Sequence, residues 1–385
     1  LPFFRPSITD GDTEAVTKAL RSGWLTLGPQ TGRFEEELER YLGVRHVVAV
    51  NSCSSALLLS LKALDVGPGH EVITSANTFA SAVQAIIHTG ARPVLADIEM
   101  DTFGPAAEEF ARKTTGKTAV YLPVHFGGQA CEIGQIVDLA RARNLRVIED
   151  AAHSFGATVG GTRLGAMGDV TAFSFYATKN LTCGEGGCLT TQSDEIADRF
   201  RMLSYHGMSS GSWNRHAEGG SWFYDVERLG FKFNMSDILS ALGLSQLGRI
   251  DDLLAKRRAV AEKLAERLQG SPYFELPRTG KSNGHTWHLF VILLNLGAMS
   301  IDRDRFIRAM TAENIGCSVH FIPIYKHRFY EPLRDRSEGF PNCEAYFSRC
   351  VSLPIFPDMS DDDVDDIVSA MNRIAAHYSK SRHAD

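Results

Sequence analysis

The chain contains no C-x-x-C pair, and its seven cysteines fall at irregular positions: 53, 131, 183, 188, 317, 343 and 350. An odd, irregular set argues against a disulfide framework and against a zinc site, so reduced thiols are expected. Long hydrophobic runs are missing too. The most apolar stretches, such as Ala80–His88, are far shorter than the ~20 residues a bilayer requires, so no membrane partner is expected. Positive charge is neither abundant nor clustered: 40 Lys+Arg stand against 46 Asp+Glu, a net −6. Without a basic stripe, a nucleic-acid partner is not expected. No G-x-G-x-x-G opens a helix after the first strand, which weakens a dinucleotide reading. Gly116-Lys-Thr118 has Ala111 where a phosphate-binding P-loop needs Gly. The opening residues LPFFRPSITD carry no basic, apolar leader, and a cytoplasmic enzyme is the expectation.

What is present points to a large two-part α/β protein. With 385 residues, 44% of them hydrophobic, the chain can bury a sizeable core in two domains. Short β-branched runs at His46–Val50, Glu71–Thr74, Pro93–Ala96, Ala119–Val124 and Leu145–Glu149 alternate with helical patterns at Ala56–Leu64, Ser81–His88 and Gly134–Arg143. That rhythm predicts a mainly parallel sheet covered by helices, with ligands at the C-terminal strand ends. Asp169–Phe175 and Gly187–Thr190 read as further strands and Glu195–Ser204 as a helix. Tyr205–Phe233 reads as a long functional loop. A continuous helical pattern over Ser236–Leu268 bridges into a smaller α+β unit. That unit has strands at Trp287–Leu294 and Ser318–Ile322 and helices at Arg303–Glu313 and Asp361–His377. The expected division is 1–248 and 249–385.

Two segments carry the chemistry. In Arg146-Val-Ile-Glu-Asp150-Ala-Ala-His153 an apolar strand ends in a carboxylate at the sheet edge, a position that an ordinary turn cap also fits. In Phe173-Ser-Phe-Tyr-Ala-Thr-Lys179-Asn-Leu-Thr-Cys-Gly-Glu-Gly-Gly187 a lysine follows a buried-type strand and precedes a Gly-rich stretch, although most lysines are solvated surface residues. Together, Asp150 and Lys179 are the pair that pyridoxal phosphate needs: an amine to form a Schiff base and a carboxylate to keep the pyridine nitrogen protonated. The Asn51-Ser-Cys53-Ser54-Ser55 helix start offers free N–H groups for a phosphate, and it equally fits a plain helix cap. Ser174 could add a hydroxyl. His285 and His288, three apart on an expected strand, face opposite ways and do not suggest a shared metal. His320 is a candidate substrate contact, whereas Trp287 and Phe290 read as core.

With those segments in place, the chain resembles the DegT/DnrJ/EryC1/StrS family of sugar aminotransferases almost end to end. The resemblance rests on Ser22-Gly-Trp-Leu-Thr-Leu-Gly-Pro29, Asn51 through Leu57, Val147 through His153 and Phe173 through Gly187. It continues through His206-Gly207, Gly230 through Asp237 and Ser352 through Pro357. Pro2 through Pro6 and His285 through Phe290 make it most similar to members that aminate C4 of nucleotide-linked sugars, the type that makes UDP-4-amino-4-deoxy-L-arabinose. The resemblance implies the aspartate-aminotransferase fold (fold type I of the pyridoxal-phosphate transferases) and a homodimer. It implies ping-pong transfer from glutamate to a 4-keto sugar, in the making of surface polysaccharide or antibiotic sugars.

It also implies roles for particular residues. Cys53 and Ser54 amides would hold the phosphate, Phe79 would lie on the pyridine ring, and His153 would bond the ring hydroxyl. Lys232 or Asn234 would reach the phosphate of a neighbouring subunit. Trp24, Thr26 and His320 would line the sugar pocket, with Tyr205–Phe231 helping to cover it. Cys53, Lys232 and Ala177 stand where many relatives have Gly, Asn and Pro. Two other reactions remain open on this scaffold: amination of a cyclitol or other ring ketone, and sugar dehydration. Dehydratase relatives carry His at the lysine position, which Lys179 opposes.

Overall fold

The computed structural model describes residues 1–208, 224–278, 283–333 and 339–380. In chain order the first elements are α1 (Asp10–Ser22), α2 (Pro29–Leu42), β1 (His46–Val50), α3 (Cys53–Ala63), β2 (Glu71–Ser75), α4 (Ala80–Thr89) and β3 (Arg92–Ala96). Next come α5 (Ala107–Lys113), β4 (Thr118–Leu122), α6 (Ile133–Ala142) and β5 (Arg146–Asp150). After the short pair β6 (Thr158–Val159) and β7 (Thr162–Arg163) follow β8 (Val170–Ser174), β9 (Gly187–Thr191), α7 (Asp194–Ser204), α8 (Asp237–Leu247) and α9 (Ile250–Leu268). The last are β10 (Phe274–Glu275), β11 (Asn283–Gly284), β12 (Phe290–Leu294), α10 (Arg303–Ala312), α11 (Pro341–Arg349), β13 (Cys350–Leu353) and α12 (Asp361–His377).

Seven strands form the main sheet in the order β1-β9-β8-β5-β4-β2-β3. The pairs from β8 to β3 are parallel, and β9 alone runs against its two neighbours. β2, β8 and β9 are buried along their whole length, as strands covered on both faces must be. One core joins α2 and α6 to one face of this sheet, and a second joins α3 and α4 to the other. The crossovers leave the C-terminal ends of β1, β2, β4, β5 and β8 at one edge, where the chain turns into its loops. β10, β12 and β13 make a separate antiparallel sheet, packed with α9, α10 and α12 around a core of its own. A fourth cluster, with Ala76 and Val83 on one side and Leu289, Val291 and Leu293 on the other, packs the two sheets' surroundings together.

Three sequence expectations change. Ser236–Leu268 is two helices, because Arg249 leaves helical geometry at φ −129 while its guanidinium pairs with the buried Asp12 of α1 at 2.7 Å. The expected strand Ser318–Ile322 reduces to one bridge between Ser318 and Ser352. Its later backbone groups are taken elsewhere: Phe321 N–H donates to Asn77 Oδ1 (3.2 Å) and Ile324 N–H to Ala76 O (3.1 Å). The strand expected at Trp287–Leu294 starts only at Phe290. There Trp287, at φ 50, has turned the preceding chain away.

Candidate active site

Three chain segments converge at the C-terminal edge of the main sheet. β5 ends in Asp150, 4% exposed. Its backbone is fixed by exchange with the chain after β4: Asp150 N–H donates to Pro123 O, and His125 N–H donates to Asp150 O, both at 2.9 Å. The carboxylate accepts from Ala152 N–H at 3.1 Å. Burial raises its pKa above the usual carboxylate range, while the Ala152 N–H and the Lys179 charge act against that rise.

β8 ends in Ser174, and the chain then makes a turn in which Lys179 N–H donates to Tyr176 O at 2.9 Å. The turn is closed by Phe175 N–H to Gly186 O and Cys183 N–H to Phe175 O, each 2.9 Å. Burial pushes the Lys179 ammonium down to about 8, against the opposing influence of Cys53 and Asp150. A substantial fraction of this amine is therefore unprotonated at neutral to mildly basic pH, as a nucleophilic lysine requires.

The third segment is the start of α3. Ser52 caps the helix by accepting from Ser55 N–H at 3.1 Å. The first-turn N–H groups of Cys53 and Ser54 lie ahead of that cap, with the positive end of the helix dipole behind them. β9 passes very close by. A Cβ on Gly187 would lie 2.6 Å from Cys53 N and 2.7 Å from Phe173 O, so only glycine permits this approach.

These segments enclose a cavity of about 470 Å³. Cys53, Ser54, Phe79, Asp150, His153, Ser174, Lys179 and His320 all line it. His153 accepts from Gly127 N–H through Nδ1 at 3.3 Å. Burial, with the nearby Lys179 and His320, holds its pKa well below the usual histidine value. His320 bonds Ser352 Oγ through Nδ1 at 2.9 Å, and burial followed by Lys179 lowers it to about 4. Phe79 is 61% exposed at the cavity, with its ring 5.7 Å from that of Phe321.

Four expected site residues stand outside that lining. Trp24 donates from Nε1 to Leu27 O of its own loop at 2.8 Å, and Thr26 O accepts from Asp237 N–H at 3.0 Å. Lys232 Nζ sits 3.9 Å over the Tyr205 ring. Asn234 donates to Met235 O at 3.1 Å. Of Tyr205–Phe231, expected to help cover the pocket, residues 209–223 lie outside the described residues.

Among the cavity residues that sequence reasoning missed are Thr78, His125 and His288. His125 Nε2 meets Glu149 at 2.9 Å, and Glu149 also accepts from Gly168 N–H (2.7 Å) and Thr171 Oγ1 (2.9 Å). Thr78 Oγ1 and His288 Nδ1 are buried without a partner among the described residues. Thr78 follows β2 at the same edge where Asp150 closes β5, and a polar residue just past a buried strand is the signal that could have flagged it. No group of three His, Cys, Asp or Glu among the described residues could hold a metal ion.

Comparison with known proteins matches residues 6–372 to the model of one family, the DegT/DnrJ/EryC1/StrS aminotransferases. The chain belongs to the DegT/DnrJ/EryC1/StrS aminotransferase family. Among family relatives, the Bacillus subtilis spore coat polysaccharide biosynthesis protein SpsC is 46% identical over 376 residues, 97% of each chain. The solved PMP form of Spr1654 from Streptococcus pneumoniae superposes with a TM-score of 0.92 at 31% identity, covering 98% of this chain and 99% of that one. Helicobacter pylori PseC, an aminotransferase of pseudoaminic acid biosynthesis, gives 0.90 at 25% identity, covering 98% and 99%. The fold is that of the pyridoxal-phosphate-dependent aminotransferases: a large α/β part with a mainly parallel sheet and a smaller part around an antiparallel one.

Proposed function

We propose that this member of the sugar aminotransferase family moves an amino group from glutamate to the 4-keto position of a nucleotide-linked sugar, in a ping-pong scheme. The observation that carries the reading is the placing of Lys179, Asp150 and the α3 N-terminus around one cavity. That donor set fits pyridoxal phosphate, the cofactor of the family. The Cys53 and Ser54 amides with the Ser54 and Ser174 hydroxyls suit its phosphate. Asp150 suits the ring nitrogen, His153 the ring hydroxyl, Phe79 the ring face and Lys179 the aldehyde. The buried, unpartnered Thr78 Oγ1 is a further donor for the same group. When bound, pyridoxal phosphate supplies an aldehyde that accepts the amino group and a ring that draws electrons from the reacting carbon.

The chain's own residues do the rest. Lys179 Nζ, lowered to about 8, gives up its proton near neutral pH and would then move a proton between the reacting carbon of the bound substrate and the cofactor's aldehyde carbon, once in each half of the cycle. Asp150, buried at the end of β5, would face the ring nitrogen and keep a proton there. The neutral His153 donates one hydrogen bond without adding positive charge beside Lys179.

The same reading makes the enzyme a homodimer divided at 1–248 and 249–385, with Lys232 or Asn234 of a second copy completing the phosphate site and Trp24, Thr26 and His320 near the sugar. The exposed apolar side chains Trp24, Leu25, Val226 and Leu229, the last 93% exposed, support a covering partner. The experiment is a panel of UDP-, dTDP- and GDP-linked 4-keto sugars with glutamate, read by 2-oxoglutarate release. Amination of one of them supports the reading. Failure on all, with turnover of a cyclitol ketone, moves the assignment to that class.

A further inference from the structure

His288 lies on the wall of the Lys179 cavity, is 6% exposed, and has a buried Nδ1 with no hydrogen-bond partner. Its ring packs 4.5 Å from His153. Behind it sits Arg257 on α9, 1% exposed. Arg257 Nη1 donates to Trp287 O at 3.4 Å and Ile355 O at 3.0 Å, while its Nε has no partner. No carboxylate of the described residues neutralises this guanidinium, and burial alone lowers its pKa, to about 10. A buried cation without a counter-charge is costly to keep, and it projects a positive potential through a low-dielectric wall.

The turn that presents His288 is tied down on every side. Thr286 donates from N and Oγ1 to Gly128 O (2.9 and 3.2 Å), and Leu289 N–H donates to Gly127 O (3.0 Å). Asn180, beside Lys179, donates from Nδ2 to Thr286 O at 3.0 Å. Trp287 holds φ 50 with its ring 4.0 Å from that of His285. Gly128, at φ +110, admits the turn only because it lacks a Cβ, which would lie 2.9 Å from the nitrogens of Trp287 and His288. Such fixing preserves one side-chain direction, which is the condition for a binding residue. Burial, then Lys179, His153, Arg257 and His320, hold the His288 pKa well below its usual value. The ring is therefore neutral, with one N–H and an uncommitted nitrogen, in a field that favours an anion.

We propose that His288, backed by Arg257, binds a carboxylate of the amino-acid donor and so selects the donor substrate. The inference rests on the aminotransferase reading above. A neutral imidazole N–H over an uncompensated guanidinium holds a carboxylate by hydrogen bond and field together, yet lets it leave, which a ping-pong cycle requires.

The test uses glutarate, which has the donor's two carboxylates and no amino group, titrated calorimetrically into cofactor-loaded protein. Wild type binds it. His288→Phe weakens binding about tenfold or more, the usual effect of losing a hydrogen bond to a charged group. His288→Gln, which keeps an N–H, recovers most of the loss. His288→Ala replaces the Phe variant if that one fails to take up cofactor. In single turnovers the Phe variant loses more in the glutamate half than in the keto-sugar half started from pyridoxamine-phosphate-loaded protein. Unchanged glutarate affinity in a variant that melts like wild type overturns the proposal. So does a Gln variant no better than Phe, equal losses in both halves, or a wild type that ignores glutarate. A wild type that binds glutarate but aminates no keto sugar removes the sugar assignment and leaves the carboxylate site standing.

Discussion

Lys179 and Lys232 stand in opposite surroundings, and the contrast shows how a fold decides which amine becomes chemical. Lys179 follows a wholly buried strand, β8, and lines a cavity in which burial brings its pKa down to about 8. Lys232 is exposed, and its ammonium lies over the Tyr205 ring at 3.9 Å. The first region draws Asp150, the α3 start and Lys179 of one chain into one cavity. The second region, with Asn234 and the exposed Trp24, turns its polar groups onto its own backbone. Buried strand ends supply reactivity, and an exposed segment is left to supply contacts to something outside the chain.

The largest expected effect breaks this comparison on its reactive side. Lys179→Ala removes nucleophile and proton carrier together, and turnover falls about ten-thousand-fold; the same change at Lys232 leaves turnover at saturating cofactor within about tenfold of wild type. Steady-state kinetics on both variants, each reconstituted with excess pyridoxal phosphate, checks the pair. Next comes Asp150→Asn, which keeps shape and removes charge. It lowers kcat about a hundredfold, the scale of one hydrogen bond to a charged group, with the cofactor still taken up.

Stability provides a smaller and independent measure. Below pH 8 the folded, cofactor-free protein carries a charged Lys179 that burial disfavours, while the unfolded chain is at ease with that charge. Between about 8 and the ordinary lysine value the unfolded state binds more protons, so stability rises with pH through that window. Lys179→Met removes the cost. Cofactor-free Lys179→Met is therefore more stable than wild type at pH 7 by up to roughly 3 kcal/mol, a gain that fades as pH rises through 8 to 10.5, measured by urea melts across pH. The smallest effect belongs to the exposed region. Lys232→Met weakens cofactor binding by about tenfold or less, with a loss that shrinks as salt rises because the contact is solvent-screened.

Much of this site was legible before the structure because strand ends follow local rules. Asp150 closes an apolar run, Ser52 opens a helix, and the Gly-rich tail after Lys179 marks a turn under steric pressure, later seen at Gly187. Other features depended on distant partners. The break between α8 and α9 follows from Arg249 reaching Asp12, some 237 positions away. The Ser318–Ile322 run forms no strand because Asn77 claims the N–H of Phe321 within it and Ala76 that of Ile324 just beyond. His288 read as one of two histidines on opposite faces of a strand, but that strand begins two residues later, and Gly128, Asn180 and Arg257 hold the turn that aims it. Periodicity carries no trace of such ties.

The most direct measurement asks which lysine the cofactor finds. Cofactor-free protein is incubated with pyridoxal phosphate, reduced with borohydride, digested and mapped by mass spectrometry. The yellow colour should bleach on reduction and the added mass should sit on Lys179, with Lys232 unmodified. A label spread over surface lysines, or confined to Lys232, or no uptake at all, would contradict the account.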